Sequence, residues 1–262
     1  MTEGGASDVN EQPRQDRFYF KLFDRLDGPG CPICGIVIDD SRAYLDSVLY
    51  ERVTDVPTRE GLRESFGLCN PHTWLLRDLP ASSAPDLGFA IIARDLLNRF
   101  RDTAGSPRVT GWRALRGRLA RAGSGLRARL KKAACPACVV AGRSESVHLR
   151  QLLDLLGDET FCEKYRGSSG ICIPHFLVAE EGHPAHPQLA DLRDIQRRKA
   201  RALHDTLDRF TEKHDHRARE EITPAEAKAW IDAMEFLGGK QGVFDSELRR
   251  LPRHRWKVLD KR

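Results

Sequence analysis

Cys31-Pro-Ile-Cys34, followed by Cys69-Asn-Pro-His72, is a set of metal-ligand-type residues that recurs as Cys135-Pro-Ala-Cys138 and Cys172-Ile-Pro-His175. Each copy reads CPxC, then a spacer of 34 or 33 residues, and then CxPH. Corresponding positions lie 104 or 103 residues apart, and the two copies use six of the seven cysteines. The recurrence indicates an internal duplication in which both copies serve the same chemistry.

The residue types and their spacing favour two zinc sites. A CxxC turn directs two thiolates at one ion, and the proline of CxPH begins a helix whose N-terminus favours an ionised thiol. Three thiolates and one imidazole complete a tetrahedral zinc shell with no open position, which is typical of a structural rather than a catalytic ion. The predicted ligands are Cys31, Cys34, Cys69, His72, Cys135, Cys138, Cys172 and His175.

Three other interpretations of the motifs remain open. An iron–sulfur cluster also uses cysteine-rich sites, and it would indicate a redox or sensor protein. A CxxC dithiol could serve a thiol oxidoreductase, although such motifs belong to a βαβ context that this sequence lacks. The thiols could also be small core residues. We expect each site to form within one repeat, while an exchange that joins Cys31 and Cys34 to Cys172 and His175 is the alternative.

The hydrophobic pattern predicts an all-α protein, an internally duplicated helical bundle with the metal sites at helix N-termini. Phe89, Ile92, Leu96 and Phe100 follow helical spacing, and no segment shows sustained strand alternation. The predicted organisation is a disordered N-terminus, a first helical repeat with the CPIC and CNPH motifs, a basic connector, a second helical repeat with CPAC and CIPH, and a C-terminal helix with a basic tail. Their ranges are 1–16, 17–100, 101–132, 133–215 and 216–262.

The last predicted helix carries a capping box. Thr223 is the cap, Pro224 occupies the first turn, and Glu226 follows the cap by three residues. Apolar side chains at helical spacing predict the face that this helix buries. They are Ala227, Trp230, Ile231, Met234 and Leu237.

The bulk composition narrows the class of protein. No stretch approaches the roughly 20 apolar residues of a transmembrane helix, and the start of the chain is polar and acidic, unlike a signal peptide. Clustered cysteines in such a chain indicate a cytoplasmic metal-binding protein. No GxSxG, HExxH, Walker A or dinucleotide-binding motif is present, so the sequence offers little support for an enzyme.

The chain has a net charge of +5, and its excess of basic residues lies in two segments. Residues 101–132 hold ten Lys and Arg against Asp102, and residues 249–262 hold seven against Asp260. In the first segment, Trp112, Leu115 and Leu119 are spaced for one helical face. These segments predict either a solvated linker and tail or contact with nucleic acid or an anionic surface. The sequence does not identify a protein partner or an oligomeric state.

The chain also resembles an uncharacterised bacterial family that carries a domain of unknown function. The resemblance rests on CPIC at 31–34, YLDSVLYERVTD at 44–55, GLCNPH at 67–72, and the later CPAC and GICIPH. It spans most of the chain between about residues 20 and 240. It implies a metal-binding helical protein and no established reaction.

Overall fold

The computed structural model describes residues 17–80, 85–105, 126–215 and 219–244, and these residues form helices and contain no strand. The first half holds α1 (Arg17–Arg25), α2 (Pro32–Tyr50), α3 (Val56–Ser65), α4 (Asn70–Arg77) and α5 (Pro85–Gly105). The second half holds α6 (Leu126–Leu130), α7 (Pro136–Leu155), α8 (Glu159–Gly167), α9 (Ile173–Gly182), α10 (Leu189–Lys213) and α11 (Pro224–Gly238). The all-α prediction is confirmed.

The duplication extends to single hydrogen bonds. Helices α2 to α5 recur in the same order as α7 to α10. Asp55 caps α3 by accepting a bond from the backbone N–H of Thr58 at 2.9 Å, and Asp158 caps α8 through the N–H of Phe161 at 2.8 Å. A carboxylate at this position satisfies an N–H that the helix itself leaves unpaired.

The described residues form two compact units that do not coincide with the sequence repeats. Unit 1 consists of 17–36, 147–215 and 219–238, and unit 2 consists of 37–80, 85–105, 126–146 and 239–244. Each unit therefore combines a part of the first repeat with a part of the second. Fully buried side chains in unit 1 include Leu22, Ile33, Leu149, Leu152, Phe161, Tyr165 and Leu192. The core of unit 2 includes Leu45, Val48, Leu62, Leu76 and Ile92.

The expectation for the buried face of α11 is wrong. Trp230, Ile231, Met234 and Leu237 are 42–63% exposed, and Ala227 is exposed too. Helix α11 packs against α10 through a different face, where Glu226 and Ala229 are buried. Burial of Glu226 is possible because Lys213 and Arg209 of α10 supply its partners at 2.9 and 3.6 Å.

Several predictions fall on parts of the chain outside the described residues. They are the prediction of disorder for residues 1–16, most of the prediction for the basic connector, and the prediction of a basic tail at 249–262. The repeat boundaries stay predictions. None of the described helices combines the length and apolar composition that crossing a bilayer requires.

Candidate metal centres

Unit 1 brings together Cys31, Cys34, Cys172 and His175, all of them buried. The CPIC turn enters α2, and Cys172 is the N-cap of α9, with His175 in the first turn of that helix. Nδ1 of His175 lies 3.4 Å from the sulfur of Cys31, 3.4 Å from that of Cys34 and 3.2 Å from that of Cys172. The sulfurs of Cys34 and Cys172 are 3.7 Å apart.

Unit 2 brings together Cys69, His72, Cys135 and Cys138, again all buried. Cys69 is the N-cap of α4, and the CPAC turn enters α7. Nδ1 of His72 lies 3.1, 3.7 and 3.4 Å from the sulfurs of Cys69, Cys135 and Cys138, in that order. The three cysteines belong to the apolar core cluster of the unit, which surrounds this group with non-polar side chains.

The expected pairing within each repeat is therefore wrong, and the exchanged pairing is the one observed. Each group takes its CPxC turn from one repeat and its CxPH turn from the other. The physical reason is the length of the helix that follows each CPxC turn. The 19 residues of α2 rise about 28 Å, so the chain begins its path to Cys69 far from Cys31. The spacing within the CPxC and CxPH motifs is the same in both repeats, so it cannot distinguish the two pairings.

The distances within each group fit one tetrahedral ion. Zinc–sulfur and zinc–nitrogen bonds of about 2.3 and 2.0–2.1 Å place two thiolates about 3.8 Å apart, and a thiolate about 3.6 Å from an imidazole nitrogen. The observed separations of 3.1–3.7 Å lie within about 0.5 Å of those edges. Both histidines present Nδ1, so the two groups also agree in the atom that they offer. Each of the two Cys/His groups could therefore hold one metal ion.

Burial and mutual hydrogen bonding shift the thiol pKa values in both groups. In unit 1, burial opposes ionisation of Cys31, but bonds with Cys172, Cys34 and His175 hold its pKa well below the ordinary value. In unit 2, bonds with Cys138 and Cys69 lower the pKa of Cys135 to about 3. The bonds that stabilise these thiolates raise the pKa of their partners Cys172 and Cys138, and burial adds to the increase. A cation would offset the repulsion that opposes ionisation of Cys172 and Cys138.

Proline and glycine prepare the backbone at each ligand turn. Pro71 and Pro174 lie in the first turns of α4 and α9, where a missing N–H costs nothing. Gly67 and Gly170 precede Cys69 and Cys172 by two residues and have φ values of 83° and 72°. Gly30, directly before Cys31, has a φ of 74°. These left-handed angles favour glycine and turn the chain into the ligand positions.

Sequence reasoning missed the side chains that hold the Cys172 turn. The Gln196 side chain of α10 donates to the carbonyl of Ile171 at 2.6 Å and accepts from the hydroxyl of Tyr165 at 3.1 Å. Lys199 donates to the carbonyls of Arg166 and Ser168 at 2.9 and 2.5 Å, and burial lowers its pKa to about 8. The only signal in the sequence is that Gln196 follows Leu192 by four residues and so shares its helical face, and this signal is not specific.

Unit 2 stabilises its Cys69 turn with different residues. Arg63 of α3 makes a two-pronged bond to Asp95 of α5 at 2.7 and 3.0 Å, and Arg59 reaches the same carboxylate at 3.0 Å. The hydroxyl of Ser65 donates to backbone carbonyls, including that of Gly67 at 2.8 Å. The ligands are thus duplicated, and so is a serine contact, since Ser65 and Ser168 each donate to the carbonyl three residues before them. The supporting side chains from α5 and α10 have diverged.

Other residues of ligand type lie outside the two Cys/His groups. Cys162 is buried in α8 and belongs to neither Cys/His group. His204, Asp205 and Asp208 form a third group of potential ligands on α10, but all three are exposed and water competes for such sites.

Comparison with known proteins identifies a family for this chain but assigns it no reaction. A model described as Family of unknown function (DUF6062) matches residues 21–242, which is most of the chain. Comparison with curated proteins and with solved structures gives no match.

Proposed function

Because the chain belongs to the Family of unknown function (DUF6062), which assigns no reaction, we propose a role from its own residues: a helical scaffold in which each Cys/His group binds one structural Zn²⁺ ion. The ions fix helix starts from different repeats against each other. In this role the protein binds or regulates a partner, and no chemistry occurs at the metal.

The observation that carries the proposal is the match between donor geometry and a single ion, found twice. Each group offers three sulfurs and one Nδ1 within 4.8 Å of one another, and all eight residues are buried. In unit 1 the donors of the CPIC motif lie 138 to 144 residues from those of the CIPH motif, so an ion that binds both motifs closes a long loop. Closing such a loop stabilises the folded chain by restricting the unfolded one.

The donor set supports a structural ion over a catalytic one. Catalytic zinc keeps a coordination position for water or substrate, whereas four protein donors fill the tetrahedron. The thiols are no more than 5% exposed. A filled tetrahedron and buried thiols both favour a structural ion.

The same geometry argues against the two redox alternatives. An iron–sulfur cluster places inorganic sulfide between several irons, and donors within 4.8 Å of one another leave room for one ion only. Thiol–disulfide exchange needs an accessible sulfur, but the sulfurs of Cys34 and Cys135 belong to residues with 0% exposure.

The metal content of the purified chain tests the proposal. We expect about two zinc per chain by elemental analysis, with no visible absorption. Cys69→Ser should lower this to about one zinc and should lower the melting temperature, because it removes a ligand from unit 2. Cys162→Ser is the matched control, since it changes a buried cysteine outside both groups and should keep two zinc.

Three results would overturn the proposal. Iron with sulfide and a brown colour would indicate clusters. A metal-free chain with a reversible CxxC disulfide would indicate a thiol oxidoreductase. Equal zinc content and melting temperature in Cys69→Ser and Cys162→Ser would exclude Cys69 as a ligand.

A further inference from the structure

Helix α11 presents its apolar face outward because its polar contacts fix its rotation. Glu226 is buried and accepts hydrogen bonds from the N–H of Thr223 and from Lys213 of α10, at 2.8 and 2.9 Å. Rotating the helix to bury its apolar side chains would expose Ala229 and strip Glu226 of these partners. The outward face is therefore a property of the native packing.

The face is about as large as the largest apolar patch of a typical monomer. Its larger side chains are Trp230, Ile231, Met234 and Leu237, with exposed fractions between 42% and 63%. With full areas of about 150–250 Å² for large side chains, they offer on the order of 400–500 Å². Patches of about this size on monomers are often functional. A standard interface buries about 800 Å² per partner, so this patch suits a reversible rather than an obligate complex.

We propose that this face of α11 binds a second copy of the chain, with the two helices antiparallel. Ala227, Trp230, Ile231, Met234 and Leu237 contain no charge, so the face lacks the cations that nucleic acid would require. The charged residues beside it are Lys228, Asp232 and Glu235, and a membrane-surface helix would carry mainly Lys and Arg there.

The side-chain sizes along the face are complementary to themselves in the antiparallel orientation. A two-fold axis at the level of Asp232 places Ala227 opposite Leu237 of the second copy, and Trp230 opposite Met234 of the second copy. A small residue thus faces a large one, and a thioether faces an indole, a favourable contact. A parallel arrangement would instead set Trp230 against Trp230.

The charges on one flank are complementary in the same register. Lys228 and Glu235 are seven residues apart and so lie on the same side of the helix, about two turns from each other. The two-fold axis brings Lys228 within about one residue rise, roughly 1.5 Å along the axis, of the level of Glu235 of the second copy. Lys228 pairs with Asp232 of its own helix at 3.0 Å, in an exposed contact that can exchange for the intermolecular one.

Sedimentation velocity on the full chain at increasing concentration, up to the hundred-micromolar range, tests the self-association. The wild type should shift reversibly from monomer to dimer. Leu237→Glu should raise the dissociation constant by about tenfold or more, because it buries an unpaired charge. Leu97→Glu is the matched control, since Leu97 and Leu237 are 66% and 63% exposed on helices, and it should dimerise like the wild type.

A wild type that stays monomeric throughout the range would overturn the proposal and leave the face to a different partner. Dimerisation that Leu237→Glu does not weaken would place the interface elsewhere. Metal content measured on the same samples keeps this test separate from the zinc proposal, because a monomer with two zinc contradicts self-association alone.

Cross-linking tests the antiparallel register. Under mild oxidation, Ala227→Cys mixed with Leu237→Cys should give a disulfide-linked dimer, while neither variant alone should. Cross-linking of each variant with itself would indicate parallel helices and contradict the register. Charge reversal gives a second test: Lys228→Glu and Glu235→Lys should each weaken the dimer, and the double variant should restore it.

Discussion

Gly67 and Gly170 are the residues on which the ligand turns most depend. A Cβ at Gly67 would lie 2.9 Å from the Cδ1 of Leu96, and one at Gly170 would lie 2.5 Å from the Cδ of Lys199 and 2.6 Å from the Oε1 of Gln196. Both glycines also have φ values that L side chains rarely adopt. Their recurrence at the same distance before Cys69 and Cys172 thus has a steric cause.

Alanine substitution at these glycines should destabilise the protein. We expect Gly67→Ala and Gly170→Ala each to lower the free energy of unfolding by about 1–3 kcal/mol, from the left-handed backbone and the close contacts. Urea denaturation of the zinc-loaded chain measures this. Gly61→Ala is the control, because Gly61 lies within α3 with no atom within 4 Å of its added Cβ. It should be neutral or stabilising by up to about 1 kcal/mol, and equal midpoints for all three variants would contradict the steric argument.

The residue scale is also where the sequence was most informative. The eight candidate ligands, the helix-starting prolines and the capping box all follow from short-range spacing, and the structure gives each a local geometric reason. The sequence did not predict which residues of distant helices contact these turns, such as Gln196 beside the Cys172 turn. Nothing in the spacing of a glutamine on α10 specifies the carbonyl of Ile171 as its acceptor.

At the scale of elements, the cap of α11 is predictable from the sequence but its orientation is not. Thr223 and Glu226 exchange the two bonds of a capping box at 2.8 and 3.3 Å, as predicted. The hydrophobic pattern then assigns the wrong face to the core, because it takes no account of Lys213 and Arg209, which pair with Glu226 from α10. An apolar helix face is an equally good signal for a core and for an interface.

The ionised state of Glu226 should make the stability of this element depend on pH. Hydrogen bonds from the Thr223 backbone and then from Lys213 lower the pKa of Glu226 to about 2, below its ordinary value of 4.5. Its contribution is therefore fully present above about pH 4.5 and is lost as the pH falls towards 2. The measurement is the difference in melting temperature between the wild type and Glu226→Gln, which should be largest near pH 6 and should shrink by pH 3. A difference that is constant over this range would contradict the role of the charge.

At the scale of the whole molecule, the exchange of ligand turns makes the two repeats interdependent. Candidate ligands of unit 1 lie up to 144 residues apart and those of unit 2 up to 69. A metal ion in either group therefore joins the two repeats, and neither repeat holds a complete observed group. Helix type and the duplication followed from periodicity and spacing. The pairing of the CPxC and CxPH motifs did not follow from the sequence, because it depends on where the chain lies after α2 and α7.

Paired substitutions distinguish exchanged pairing from pairing within a repeat. Cys31→Ser with Cys172→Ser removes two ligands from the group in unit 1, so the double variant should keep about one zinc per chain. Cys31→Ser with Cys69→Ser removes one ligand from each group and should leave the chain with little or no zinc. Pairing within a repeat reverses the two results, because Cys31 and Cys69 would then share an ion.

The comparison is internally controlled, since both double variants change two buried cysteines and share Cys31→Ser. Elemental analysis and circular dichroism on the same samples separate a lost site from a lost fold. If the variant with Cys69→Ser retains one zinc while that with Cys172→Ser retains none, the exchanged arrangement is wrong. The expected result, with more zinc in the variant that carries Cys172→Ser, would mean that each ion links the two repeats. Removing the metal should then lower the stability of both units rather than one.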